Sequence, residues 1–272
     1  MTKNWQFYSW NVLHIGHEIK YNNDTSFILD KYPNEKDRIK AIKLKIQSVL
    51  NKDLVVISLQ EVPGDLLNEL WWLDVDLYYY KLPRKPSLYK DTYTDNDEYL
   101  VTLIYDKDNI EQRCLPSYYH TDFIQYQDPG KAALIIHAHK YDLTFINTHF
   151  PLKYDINPFT LLKTYIKHYN HCIIMGDFNC SNDSLLKDIE SYSLRNKLKL
   201  YTNPSKSYTY KNINKQTLKF YYKTIDHILI FSNGLNITRN LTRNFTNSLS
   251  YCYDDNISDH SLLMCQLDID TK

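Results

Sequence analysis

The chain has 272 residues and no net formal charge, since 32 basic side chains balance 32 acidic ones. A chain of this length can bury a large core without disulfides or metal ions to hold it together. The neutral balance excludes a global positive field that would attract nucleic acid nonspecifically.

The five cysteines are scattered and show no paired spacing, which argues against a disulfide framework and against structural zinc. The N-terminus has no apolar signal region, and no apolar run approaches the ~18 residues that cross a membrane. We therefore expect an intracellular protein, cytoplasmic or nuclear. The sequence has only 5 Gly but 25 Tyr, with abundant Asn, Lys and Ile, which is typical of A/T-biased coding and hints at a virus or an A/T-rich microbe.

Hydrophobic periodicity and turn residues predict strands alternating with a few helices. In chain order, the predicted elements are a strand at 5–13, a helix at 35–50, a strand at 54–59, a helix from 63 to 71, strands at 99–105, 132–137 and 143–147, a helix at 158–168, a strand at 171–175, and strands near 207–210, 224–231, 235–245 and 261–267. Residues 85–98 and 118–130 are polar and are predicted to be loops. With no repeat and no linker, this order predicts one layered α/β domain with mixed sheets, spanning residues 1–272.

Six short polar segments lie at or just beyond the ends of apolar, strand-like runs. They are Trp10-Asn11, Gln60-Glu61, Thr148-His149, Gly176-Asp177-Phe178-Asn179, Ile225-Asp226-His227 and Ser258-Asp259-His260. Each contains a residue that can bind a hard cation, hydrogen-bond a phosphate or move a proton. Together at one sheet edge, they would form the site of a metal-assisted phosphoester hydrolase.

Carboxylate and amide oxygens are the ligands that Mg²⁺ prefers, and one or two carboxylates usually hold it. Glu61 is the candidate first ligand, Asn11 can share the cation or the phosphate, and Asp259 is a possible second carboxylate. We expect Mg²⁺ as the cofactor, with Mn²⁺ able to substitute.

The other candidates have acid–base and phosphate-binding roles. Asp177 and Asn179 lie two residues apart, so a carboxylate that orients water and an amide that holds phosphate can aim at one point. Asp226 can orient the imidazole of His260 and stabilise its protonated form.

These segments resemble the endonuclease/exonuclease/phosphatase superfamily of Mg²⁺-dependent phosphoesterases, in the family's order and over nearly the whole chain. Gly-Asp-Phe-Asn and Ser-Asp-His are the most specific marks. The resemblance implies a four-layer α/β sandwich, in which two mixed β-sheets pack face to face between helices. It also implies that Asp177 positions or deprotonates the attacking water, and that Asn179, His149 and His260 bind the scissile phosphate.

The branch of the superfamily is less defined. His149 replaces the tyrosine usual in the abasic-site endonucleases, and is shared by deadenylase-like, deoxyribonuclease-like, tyrosyl-DNA phosphodiesterase-like, sphingomyelinase-like and inositol-phosphatase branches. Thr224-Ile225-Asp226 resembles the deadenylase-like pattern, although His227 departs from it. No clear match to the tyrosyl-DNA phosphodiesterase motifs is present.

A basic, aromatic stretch without acidic residues runs from 191 to 225. Lys211, Lys215, Lys219 and Tyr210 are its candidate substrate-binding residues, with lysines on phosphates and tyrosine stacking on bases. The alternative is ordinary surface from A/T-biased coding.

The other functional assignments also have purely structural alternatives. Asp177 and Asn179 are also typical turn residues, and Asp259 a typical cap. His14, His17 and Glu18 are metal-ligating types, but their spacing follows a strand and argues against a metal role.

The sequence predicts a monomeric Mg²⁺-dependent phosphodiesterase, a nuclease on single-stranded or flexible nucleic acid. The alternatives are a phosphatase or phosphodiesterase of a small-molecule or lipid phosphate, and, less favoured, an abasic-site endonuclease or an inactive binding protein. The sequence leaves open DNA against RNA, and endonuclease against exonuclease.

Overall fold

The computed structural model describes residues 2–17, 26–84, 94–107, 119–139, 142–169, 171–180, 183–202, 208–214, 216–217, 219–232 and 257–270. The strands are β1 (Thr2–Asn11), β2 (Leu54–Pro63), β3 (Asp76–Lys81), β4 (Glu98–Asp106), β5 (Tyr119–Gln125), β6 (Ala132–Ala138), β7 (Leu143–His149), β8 (His171–Asp177), β9 (Lys199–Thr202), β10 (Tyr210–Asn214), β11 (Lys219–Lys223), β12 (Asp226–Ser232) and β13 (Leu263–Asp270). The helices are α1 (Ser26–Lys31), α2 (Glu35–Val49), α3 (Gly64–Leu70), α4 (Pro158–His168) and α5 (Asp183–Arg195).

Most of the strands form two large mixed sheets. The first has the order β13-β1-β2-β4-β3 and the second the order β5-β6-β7-β8-β12-β9, while β10 and β11 form a separate hairpin. β1 is parallel to β2 and β7 is parallel to β8. The other pairs in the two sheets are antiparallel.

Three apolar clusters define four layers. The central cluster lies between the sheets and includes Phe7, Val56 and Phe145. A second joins the outer face of the first sheet to α2 and α3, and a third joins the outer face of the second sheet to α4 and α5. β2 is buried along its whole length because both faces of its sheet are covered. The predicted four-layer α/β sandwich is confirmed.

Local sequence explains where the predicted helices begin. The Asn34 side chain caps α2 by accepting a hydrogen bond from the Lys36 amide. Asn157 caps α4 in the same way, and Pro158 occupies the first turn, where its missing N–H costs nothing. The predicted helices at 35–50 and 158–168 therefore match α2 and α4 within one residue.

Some predictions were wrong or incomplete. Residues 119–125, predicted as loop, form the edge strand β5, which is mostly exposed. The strands β3, β9 and β11 and the helices α1 and α5 were not predicted, and the strand predicted near 207–210 overlaps β10 only at Tyr210. The predicted strand at 235–245 and most of the predicted loop at 85–98 lie outside the described residues. Within the described residues, no helix is both long and apolar enough to cross a membrane.

Candidate functional site

The strand register brings three of the predicted site residues into one row. His149 is opposite Asp177 across β7 and β8, and Asp226 is opposite Asp177 across β8 and β12. In the facing sheet, Asn11 is opposite Gln60 across β1 and β2, so Glu61 follows directly. The candidate site therefore lies where the ends of five strands from two sheets meet.

A β-bulge places the Glu61 carboxylate. The register between β2 and β4 shifts between Leu59 and Val62, and Glu61 has a φ of 55°. A non-glycine residue in this left-handed region of backbone conformation costs about 1–3 kcal/mol of conformational free energy. Such backbone strain is concentrated at functional sites.

Gly176 allows the end of β8 to approach β7. A Cβ atom at this position would lie 1.7 Å from the carbonyl oxygen of Thr148. Two residues later, Asn179 has a φ of 50°, a region that Asn tolerates better than most residues. The Gly-Asp-Phe-Asn segment therefore has a local structural reason for both its Gly and its Asn.

Asp177 is buried at the centre of a hydrogen-bond network. Its Oδ1 accepts a hydrogen bond from the Asn179 amide at 2.7 Å, and its Oδ2 accepts one from Asn11 Nδ2 at 3.1 Å. The Nε2 of His149 is 3.2 Å from the same Oδ2, and the Nε2 of His260 is 3.8 Å from it. Four of the six predicted segments thus meet at one carboxylate.

His260 and Asp226 form the predicted pair. His260 Nδ1 is 2.9 Å from Asp226 Oδ2, and the amides of Ile225 and Asp226 both donate to the hydroxyl of Thr209. The paired Nδ1 leaves Nε2 of His260 directed toward Asp177. Asp226 therefore orients the imidazole.

The Ser-Asp-His segment is attached to β1 by its own first residue. Ser258 Oγ donates to the Asn11 carbonyl at 2.7 Å and accepts from the His260 amide at 3.1 Å. The indole of Trp10 donates to the His260 carbonyl at 3.1 Å. These contacts hold Asp259 and His260 beside Asn11.

Opposite charges set the ionisation of this buried cluster. Burial alone would raise the pKa of Asp177, but His149, His260 and Lys131 hold it well below its usual range. Burial alone would lower the pKa of His260, but the carboxylates of Asp226, Asp259 and Asp177 raise it to about 10. Asp177 is thus a carboxylate and His260 a cation at neutral pH.

The cluster opens into a cleft of about 400 Å³. Its lining includes Asn11, His17, Glu61, Arg84, Asp128, Lys131, Asp177, Asn179, Tyr210, Asn212, Tyr221, Lys223, Asp259 and His260. His149 is fully buried behind Asp177 and does not line the cleft. His149 could therefore act on a substrate only indirectly, through Asp177, or after a movement of the side chains that cover it.

The residues that line the cleft fit a hard divalent cation. Asn11, Glu61 and Asp259 all line it and supply one amide oxygen and two carboxylates, which is the donor chemistry that Mg²⁺ prefers. Burial alone would raise the pKa of Glu61, but His17, Lys131 and His149 hold it well below its usual range. Glu61 is therefore ionised and able to bind a cation.

Three cationic side chains of the cleft were not predicted from the sequence. Lys131 is buried, with its Nζ 3.6 Å from Glu61 Oε1 and in contact with the His149 ring. Arg84 and Lys223 also line the cleft. Lys131 follows a Pro-Gly turn and directly precedes β6, a position that a search of strand ends overlooks because it begins a strand.

The predicted substrate-binding residues are only partly at the cleft. Tyr210 lines it and packs edge-on against His260 at 5.0 Å. Lys211 places its ammonium over the rings of Phe27 and Phe220, and neither it nor Lys219 is among the described residues that line the cleft. Lys215 lies outside the described residues.

His227, next to Asp226, gives a pH-dependent prediction about stability. Burial lowers its pKa from 6.5 to about 4, so below pH 6.5 the unfolded chain takes up a proton that the folded chain does not. The free energy of unfolding should therefore fall by about 1.4 kcal/mol per pH unit from this group, or about 3 kcal/mol by pH 4. In denaturant unfolding without divalent cations, His227→Phe should show a correspondingly smaller fall between pH 6.5 and 4.

The matched control is His120→Gln, because His120 is exposed on β5. This variant should keep the wild-type slope of unfolding free energy against pH. An unchanged slope in His227→Phe would show that His227 does not cause the loss.

Comparisons with known proteins show which family shares this architecture. A sequence profile of the Endonuclease/Exonuclease/phosphatase family matches residues 8–260, whereas no curated protein sequence matches significantly. The catalytic domain of human Nocturnin, solved with a bound sulfate anion, is 17% identical with a TM-score of 0.55, and the match covers 97% of this chain and 93% of that chain.

Two further solved structures share the fold. D. rerio TDP2, complexed with single strand DNA product, is 14% identical with a TM-score of 0.57, covering 97% of this chain and 98% of that chain. Cimex nitrophorin, solved as a ferrous NO complex, is 15% identical with a TM-score of 0.52, covering 99% of each chain. At these identities the likeness shows the fold alone. The profile match over nearly the whole sequence shows that this chain belongs to the endonuclease/exonuclease/phosphatase family.

Proposed function

We propose that the chain is a Mg²⁺-dependent phosphodiesterase that cleaves single-stranded or flexible nucleic acid. The observation that carries this proposal is the meeting of Asn11, Glu61, Asp177, Asp259 and His260 at one cleft. Hard-cation ligands, a carboxylate for water and a cationic imidazole are the groups that phosphoester hydrolysis requires.

Asn11, Glu61 and Asp259 would hold the cation, which when bound neutralises charge on the phosphoryl oxygens. Asp177 has both oxygens engaged and a depressed pKa. A weakly basic carboxylate held in this way suits orienting the attacking water better than storing its proton.

Cationic and amide groups would hold the phosphate. His260 directs Nε2 toward the cleft with Asp226 behind it, and can donate to a phosphoryl oxygen. Asn179 is fixed by its Nδ2, which donates to the Phe150 carbonyl at 2.8 Å. His149 Nε2 lies 3.2 Å from Asp177 Oδ2 and keeps this carboxylate in place, while the Lys131 ammonium, 3.6 Å from Glu61, offsets buried negative charge.

Support for a nucleic acid substrate comes from the hairpin β10–β11 at the mouth of the cleft. Its Tyr210, Tyr221 and Lys223 line the cleft, while the side chains of Phe220 and Tyr222 are exposed. Aromatic faces beside lysines suit stacked bases and their phosphates. Lys211, Lys215 and Lys219 are proposed to extend this contact.

Two lysines on one strand test where the phosphates lie. Both lysines are exposed at opposite ends of β11, but Lys223 lines the cleft and Lys219 is not among the described residues that line it. Lys223→Gln should raise KM for a dinucleotide phosphodiester about tenfold or more, because a charged hydrogen bond is worth about 1.5–3 kcal/mol. Lys219→Gln should leave this KM unchanged.

A longer substrate distinguishes the contribution of the hairpin to binding from that of the cleft. Neutralising Lys211, Lys215 and Lys219 together should weaken binding of a single-stranded oligonucleotide and reduce its salt dependence. Hydrolysis of the dinucleotide should not change. Unaltered oligonucleotide binding in the triple variant would make this stretch ordinary surface.

The direct test is a panel of labelled substrates with Mg²⁺, using Asp177→Asn as the control. It contains single-stranded RNA, poly(A), single- and double-stranded DNA, an abasic duplex and inositol phosphates. Cleavage of an oligonucleotide by the parent alone would support a nuclease, and the product ladder would distinguish endonuclease from exonuclease. Oligonucleotides left intact by a folded, Mg²⁺-binding parent would overturn the proposal.

One observation favours a second candidate, a phosphatase or phosphodiesterase of a small-molecule or lipid phosphate. The lining of the cleft of about 400 Å³ includes four cationic side chains, Arg84, Lys131, Lys223 and His260. This size and charge suit a compact ligand that carries more than one phosphate. Hydrolysis of the inositol phosphates alone would establish this candidate.

A further inference from the structure

A second cluster of ligand atoms lies on the wall of the cleft, beside the proposed Mg²⁺ ligands. His17, Glu61 and Glu98 each place one nitrogen or oxygen so that the three atoms lie within 4.8 Å of one another. Glu98 was not among the residues singled out from the sequence. The spacing of His14, His17 and Glu18 in the sequence argues against a metal role for that set, and Glu18 lies outside the described residues.

The backbone explains this meeting. Glu98 begins β4 opposite Pro63, next to the bulge in β2 that carries Glu61. The chain after β1 then turns so that the amide of His17 donates to the His14 carbonyl at 2.9 Å. His17 Nε2 consequently lies 2.8 Å from Glu98 Oε2.

Glu98 supplies an independent sign that the cluster binds a ligand. Its side chain is fully buried, and among the described residues its Oε1 has no hydrogen-bond partner. A buried carboxylate oxygen without a partner is costly, and burial of such groups is usually compensated by hydrogen bonds, an opposite charge or a metal ion. His17 lines the cleft, so an ion has a path from solvent.

We propose that His17, Glu61 and Glu98 form a second divalent-cation site, which shares the Glu61 carboxylate with the site of Asn11 and Asp259. One imidazole and two carboxylates favour Zn²⁺ or Mn²⁺ over Mg²⁺, because Mg²⁺ takes oxygen ligands almost exclusively. The proposal rests on this geometry and holds whether or not the chain is a nuclease.

The spacing needs little adjustment for one ion. Ligand atoms about 2.1 Å from an ion are about 3 Å apart when adjacent and about 4 Å apart when opposite. The 2.8 Å between His17 and Glu98 matches an adjacent pair, and all three ligand atoms lie within 4.8 Å of one another, so side-chain movements of about 1 Å or less bring them around one ion. Three protein ligands leave positions open for water or a phosphate oxygen.

Counting bound ions tests the site without relying on activity. Chelator-treated protein is dialysed against Zn²⁺ or Mn²⁺ alone, and bound metal per chain is measured by elemental analysis. We expect two Zn²⁺ per wild-type chain. His17→Gln and Glu98→Gln should each weaken one of the two by at least tenfold, while Asp259→Asn should retain that ion.

His120→Gln is the matched control, because it removes an exposed imidazole on β5 and should change no bound ion. A Co²⁺ absorption spectrum that loses its imidazole signature in His17→Gln alone would confirm the ligand. Melting curves of the metal-free variants distinguish a loss of metal binding from a loss of folding. The double variant His17→Gln, Glu98→Gln is included because its two side-chain amides can keep a neutral hydrogen-bonded pair and so preserve the fold. Equal Zn²⁺ stoichiometry and affinity in that folded double variant would overturn the proposal.

Discussion

Replacing Asp177 by Asn is expected to lower kcat for phosphodiester hydrolysis by at least about 10³-fold, within the range for removal of a positioned acid–base group. The side chain keeps its size, but one acceptor oxygen becomes an N–H donor. Both oxygens of Asp177 accept hydrogen bonds from N–H groups, of Asn179 and of Asn11. The new amide must therefore oppose one of them, and the oriented water loses its carboxylate.

The measurement is single-turnover hydrolysis at saturating Mg²⁺, so that weaker cation binding does not contribute. The folded state should survive, because one mismatched buried hydrogen bond costs about 1–3 kcal/mol. Asp188→Asn is the control, since this carboxylate is exposed on α5 and its loss should leave kcat unchanged. Turnover retained in folded Asp177→Asn would refute the proposed mechanism.

The strand ends that form the site could be predicted because each signal is local. A polar residue at the end of an apolar run, as Asp177 is the last residue of β8, marks the end of a buried strand, and such ends collect at one edge of a sheet. Family-like segments at Gly176–Asn179 and Ser258–His260 then suggested which ends meet. The register of β7, β8 and β12 agrees with that inference.

The contacts that were not predicted depend on long-range packing. Lys131 directly precedes a strand and Glu98 begins one, and their partners, Glu61 and His17, lie far away in the chain. Lysine is also so abundant in this sequence that a single Lys carries little information. β3 and β5 were missed because edge strands with half-exposed side chains lack a clear apolar alternation. By contrast, Leu185 and Ile189 of α5 have helical spacing, and this signal was overlooked.

Arg38 is expected to be the costliest single charge to remove, because it ties two site segments to α2. Its side chain is fully buried, and its guanidinium donates to both oxygens of Glu35 at 2.6 and 2.7 Å. It also donates to the carbonyls of Val12 and Leu13, just after Asn11, and to the carbonyl of Ile257, just before Ser258 and Asp259. No other side chain reproduces this planar set of donors.

Arg38→Met should therefore lower the free energy of unfolding by about 3–5 kcal/mol, the usual cost of leaving a buried charge unpaired. Arg195→Met, at an exposed position on α5, should cost less than about 0.5 kcal/mol. The double variant Arg38→Met, Glu35→Met removes both charges and should recover only part of the loss, because the three carbonyls still lack their donor. If this double variant recovers full stability, Arg38 serves its ion pair alone. The Mg²⁺ affinity of the double variant tests a separate role of Arg38. If this affinity is lower than that of the parent chain, the guanidinium positions Asn11 and Asp259 through the backbone that carries them.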